Sequence, residues 1–174
     1  MPIHDTDKIA MAISLASSLA LSRRNEFLTP EHLLAALLKD DDVRAAVSQC
    51  CDIDHMETQV KNYIDSLEEM PDGNYELNAS SQLQELIAIA ENAARGSGST
   101  VMKVHHLMYA FFQLEDSYAR FTLEGAIETS VPALLNNLVQ IEDESNEEMP
   151  LGERWSRFFR ECPAEEIIGR ENET

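Results

Sequence analysis

The chain repeats itself, and that constrains its fold more than any other feature. Shifted by 74 residues, its apolar pattern returns onto itself without a gap. Ile9, Ile13, Ala16 and Ala20 land on Leu83, Ile87, Ala90 and Ala94. His32, Leu33, Ala36, Leu37 and Leu38 land on His106, Leu107, Ala110, Phe111 and Phe112. Asp42, Ala45, Val47 and Ile53 land on Asp116, Ala119, Phe121 and Ile127, and Val60, Asn62 and Ile64 on Leu134, Asn136 and Leu138. Chance periodicity aligns one helix, not four in succession with their connections in register. The expected fold is all-α: a tandem repeat of two four-helix motifs in one compact double domain.

The helices themselves are legible from spacing and end signals. Ile9, Ala12, Ile13, Ala16, Leu19 and Ala20 follow the i, i+3, i+4 rhythm of an amphipathic helix. Thr29-Pro30-Glu31 announces a second: a hydroxyl N-cap, a proline at the first helical position, and an acid against the positive dipole end. Asp41 or Asp42 is placed to cap a third helix ending near Cys50, and Asp54 to open a fourth through Val60, Ile64 and Leu67. The turn-forming run Pro71-Asp72-Gly73-Asn74 closes the first unit, and Ser81 starts the second with a capping box. Repeat one thus covers about 5–70 and repeat two about 79–140, together the domain 1–140.

After Leu138 the character changes. Residues 141–153 carry six acids and no base, which reads as a solvated linker extending to 166. Arg154-Trp155-Ser156-Arg157-Phe158-Phe159 has the pattern of a short amphipathic helix within it.

Charge and cysteines narrow the function classes. With 13 basic and 32 acidic residues the formal charge is −19, which repels phosphate backbones and disfavours nucleic acid. Basic peptides or basic adaptor proteins suit it better. Three cysteines, two of them adjacent, make neither a disulfide framework nor a CxxC metal site, as in a reducing compartment. The start, Met1-Pro2-Ile3-His4-Asp5, lacks the basic and apolar stretches of a signal peptide, and no apolar run is long enough for a membrane span. The expected location is the cytoplasm.

The string Asn25-Glu26-Phe27-Leu28-Thr29-Pro30-Glu31-His32-Leu33-Leu34-Ala35-Ala36-Leu37-Leu38 resembles the signature of the Clp N-terminal repeat. Two such repeats in tandem form the N-terminal domain of ATP-dependent Clp unfoldases, and the resemblance covers about Asp5 to Gln140. Ile168-Gly169-Arg170-Glu171-Asn172-Glu173 is similar to the string that opens the first AAA+ module of that family, which assigns 167–174 to its beginning. Glu165-Glu166-Ile167 stands where the family usually has Asp-Pro. Glu26, Phe27 and the stretch from Arg44 to Cys50 agree best with the ClpA branch. The resemblance implies a substrate- and adaptor-docking domain whose parent is a hexameric ATPase using ATP and magnesium and feeding the ClpP protease. The isolated domain is expected to be monomeric. A stand-alone Clp-repeat protein that regulates or braces a protease complex is the alternative.

No residue pattern in the chain supports catalysis. Gly96-Ser97-Gly98-Ser99-Thr100 lacks the lysine of a phosphate loop and reads as a helix–helix turn, so neither ATP nor any other cofactor is expected on this chain. His32 and His106 recur at equivalent positions with no metal-like spacing, so they are read as scaffold, packed or hydrogen-bonded at a helix junction. Cys50 and Cys51 have no basic neighbours in sequence and read as buried filler. The resemblance carries a binding role to Glu26 and Glu31, where acids of the ClpA branch contact the ClpS adaptor that delivers N-degron substrates. Ser80, at the matching helix start of repeat two, is added to that surface.

Overall fold

A computed structural model of the chain describes residues 3–147, with side chains through Glu142. Eight helices and four two-residue strands follow in the order β1 His4–Asp5, α1 Asp7–Ser22, β2 Phe27–Leu28, α2 Pro30–Leu37, α3 Asp41–Ser48, α4 Ile53–Asp65, β3 Asn78–Ala79, α5 Ser81–Gly96, β4 Val101–Met102, α6 Val104–Gln113, α7 Tyr118–Ala126 and α8 Val131–Glu147. The helices group as two sets of four, as the repeat requires. The first compact unit runs to Val139. α8 runs on to Glu147, past the point where the acidic linker was expected to begin. The remainder of that linker and the Ile168-Gly169-Arg170 string lie outside the described residues.

The core is built from the positions that the repeat aligns. Ile9, Ala16 and Ala20 of α1 and Leu86, Ala90 and Ala94 of α5 are each fully enclosed. The small residues let neighbouring helices approach closely, and the paired Leu37/Leu38 and Phe111/Phe112 fill the space beneath α2 and α6. Each buried Leu or Phe contributes about 1.5–3 kcal/mol of apolar burial.

Helix starts are fixed by side-chain caps, one or two residues earlier than expected in three cases. Asp40 caps α3 through the amides of Asp42 and Val43, Asp52 caps α4 through His55, and Ser80 caps α5 through Leu83. Asp54 and Ser81 therefore sit inside their helices. An Asp or Ser one or two positions earlier caps equally well, and the residue that serves is the one whose own backbone is extended rather than helical.

Four short strands tie the repeats together. β1 pairs in parallel with β4, and β2 with β3. Their registers are His4 to Val101 and Asp5 to Met102 in one ribbon, Phe27 to Asn78 and Leu28 to Ala79 in the other. The 74-residue shift carries each ribbon onto the other. Each repeat lends its leading strand to the loop strand of its twin, so neither ribbon exists within one repeat alone.

Candidate functional site

Two of the three sequence-derived binding candidates, Glu26 and Ser80, flank the β2–β3 ribbon. Thr29 and His32 form a reciprocal cap at the start of α2. The His32 amide donates to Thr29 Oγ1 at 3.3 Å, and the Thr29 amide donates to His32 Nδ1 at 3.1 Å. Histidine here does the work usually done by Glu or Gln at the third helical position. Because Nδ1 accepts, Nε2 carries the proton and donates to Asn25 Oδ1 at 2.8 Å. The ring is fully buried, and burial, helped by the positive charge of Arg23, pushes its pKa down to about 4. His106 repeats the arrangement, its Nδ1 accepting from the Lys103 amide at 3.0 Å, with its pKa also lowered by burial. Both histidines are scaffold, as their recurrence suggested.

Glu26 and Ser80 come to one ribbon. Glu26 is exposed and immediately precedes β2, whose Phe27 is 44% exposed. Ser80 directly follows β3, and its amide donates to the Leu28 carbonyl at 2.9 Å.

Glu31 does not join them at the surface. Only 1% of it is exposed. Its Oε2 accepts from the Ala119 amide at 2.8 Å and from Ser117 Oγ at 3.4 Å, at the N-terminus of α7. Its carboxylate is thus a buried anion at a helix N-terminus in the other repeat. The carboxylate expected at a binding surface is thus spent on holding α7, away from the surface that carries Glu26.

Beside the ribbon opens a cleft of about 380 Å³. Ile13 and Ala16 of α1 line it opposite Leu83, Ile87 and Ala88 of α5, while Leu28 and Ala79 of the paired strands contribute the ribbon side. Gln84 and Glu91 are its polar members. Its wall is overwhelmingly apolar, with a carboxylate at its margin. Sequence reasoning did not find this site: half of it comes from each repeat, and Ile13 and Ile87 read as ordinary core positions. The 74-residue equivalence of Ile13 and Ile87 was the available signal.

Cys50 and Cys51 are buried, as read from sequence. Cys50 accepts from Asn137 Nδ2 at 3.3 Å, and burial raises the Cys51 thiol to about 11. Among the described residues no group of three or more His, Cys, Asp or Glu side chains converges on a metal-sized site, and no helix is long and apolar enough to cross a membrane.

A pair of interlocked four-helix repeats with an apolar cleft where the two halves meet defines a helical double-repeat module. The Clp repeat (R) N-terminal domain family matches residues 5–126, and the chain belongs to that family. The chaperone protein ClpB of Brucella suis biovar 1 is 27% identical over 137 residues, which are 77% of this chain and 15% of that protein. The chain therefore spans about 15% of the length of such curated relatives. The N-terminal domain of Hsp104 from Candida albicans superposes with a TM-score of 0.65 at 20% identity, covering 80% of this chain and 91% of that one. A ClpV N-domain solved in complex with a VipB peptide gives 0.53 at 22% identity, covering 79% and 94%. These likenesses establish the fold.

Proposed function

We propose that the chain is the substrate- and adaptor-docking N-terminal domain of a cytoplasmic, ClpA-like protein unfoldase that feeds ClpP. The observation that carries this reading is the apolar cleft between α1 and α5, flanked by the ribbon that bears Glu26, Phe27 and Ser80. An apolar wall with few polar groups is how proteins hold an extended or helical peptide segment. The carboxylate of Glu91 at the cleft and the exposed Glu26 next to the ribbon, on a chain of charge −19, steer basic segments towards it. The ClpV N-domain bound to a VipB peptide is a precedent for peptide docking on this fold.

Mechanistically, the domain holds a client, or a ClpS-like adaptor loaded with one, near an ATPase ring. Tethering raises the local client concentration without any chemistry in this chain. ATP and magnesium belong to the hexameric parent. The alternative, a stand-alone Clp-repeat protein that braces a protease complex, differs in having no ATPase in the same reading frame.

Titration with a ClpS-like adaptor and with an apolar client peptide tests the docking role. Binding in the micromolar range is expected. Ala88→Arg, at an exposed cleft position, and Glu26→Lys should each weaken it about ten-fold. Glu31→Ala should instead lower stability by about 1.5–3 kcal/mol, the worth of a buried charged hydrogen bond. Absence of any adaptor or peptide binding at micromolar concentrations rules the role out.

A further inference from the structure

A second hollow, of about 370 Å³, lies within repeat one and shares no lining residue with the cleft. Its floor is apolar, with Leu38, Val60 and Ile64 at its base. Its rim is cationic: Arg23, Lys39 and Lys61 all face it, against the single carboxylate of Glu57.

The local charge does not balance. Arg23 and Lys61 share one partner, Asp65, with Lys61 at 2.8 Å. Glu57 is gripped through both oxygens by Arg44, whose Nη2 lies 3.0 Å from Oε1. Lys39 enters no ion pair among the described residues. Among the charged side chains that line the hollow, Arg23, Lys39 and Lys61 thus stand against Glu57 alone, on a chain with only 13 basic residues and a formal charge of −19.

We propose that this hollow binds the free carboxyl terminus of a polypeptide whose last residues are apolar. The floor removes apolar side chains from water while a terminal carboxylate takes up the unbalanced charge of Lys39 and Lys61. A polyanion is a poor fit, because the chain's net charge of −19 repels it beyond the rim. One carboxylate at the end of an apolar chain meets only the local excess. The small volume suits a chain end more than a long acyl tail, most of which would stay in water.

The full chain is titrated with fluorescein-Gly-Ser-Leu-Leu as the free acid and as the carboxamide, followed by fluorescence anisotropy. The acid form should bind about ten-fold more tightly than the amide. Lys39→Gln, at an exposed position, should erase most of that preference with an unchanged circular dichroism spectrum, whereas the cleft variant Ala88→Arg should keep it. Failure of the cleft reading therefore leaves this test standing, and the reverse. Equal binding of acid and amide, no binding of either, or a preference that survives in a Lys39→Gln/Lys61→Gln double variant overturns the proposal. Decanoate binding that the acid peptide does not displace overturns it in favour of a fatty acid.

Discussion

At the scale of single residues, the histidines and Glu31 show what a sequence does and does not reveal. His32 and His106 were readable as scaffold because recurrence at a structural position argues against a unique chemical task. Their cap-bearing Nδ1 atoms bear this out. Glu31 is buried where the sequence suggests a surface acid, because an acid in a first helical turn looks the same whether it faces out or in. Its partner amide is 88 residues away, so no local pattern carries the information. The histidines also make stability depend on pH. In the unfolded chain His32 takes a proton near 6.5, and in the folded protein only at about 4. The unfolded state therefore binds more protons between those values, so this contribution is present above about 6.5 and is lost as pH falls towards 4. The loss is on the order of 2–3 kcal/mol, with His106 acting in the same direction. Urea unfolding at pH 7 and pH 5 should show it. His32→Gln keeps an acceptor for the reciprocal cap and should flatten the pH slope; an unchanged slope would contradict the assignment.

At the scale of elements, the helices were legible and the strands were not. Two-residue strands have no periodicity, and their partners lie in the other repeat. The helix ends show how the repeats diverge. α1 and α5 finish in the same six-residue closure, with Asn25 and Ser99 amides donating to the carbonyls of Ala20 and Ala94, each at 2.9 Å. The residue in the left-handed region is Gly98 in repeat two but Arg24 in repeat one, at φ +51°. An L side chain there costs roughly 1 kcal/mol. Arg24 offsets that cost by gripping the inter-repeat segment. Its guanidinium donates to the carbonyls of Met70, Pro71 and Gly73 and lies over the Tyr75 ring at 5.2 Å, while its own carbonyl accepts from the Met70 amide at 2.7 Å. Limited proteolysis after Glu68, Glu69 and Glu76 should accelerate in Arg24→Ala. Arg24→Gly should be cut as readily while losing less stability, because it relieves the backbone but still drops the clamp. Cleavage of both variants no faster than that of the unsubstituted chain would show that the guanidinium holds nothing.

At the scale of the whole molecule, the two halves look like independent bundles in sequence but are not independent in structure. Both ribbons pair across the repeats, Glu31 holds the start of α7, and Tyr63 stacks on Tyr118 with ring centroids 4.7 Å apart. Cys51 bridges to Ile127, and the Asp52 amide donates to the Ala126 carbonyl at 2.9 Å. The stack is worth about 0.5–1.5 kcal/mol and the buried carboxylate about 1.5–3 kcal/mol, a large share of what a domain of this size retains. The cleft has the same origin, since one wall comes from each half. A half-chain therefore loses both its margin of stability and its binding surface. Fragments 1–73 and 74–147, expressed separately, should each show weak helical circular dichroism and no cooperative melting. Mixed at equal concentration, they should recover helicity and a single transition, because the strand exchange that ties the repeats needs no covalent link. Cooperative folding of either fragment by itself would mean that the repeats are two domains in contact, and the cleft would then be an interface that can open.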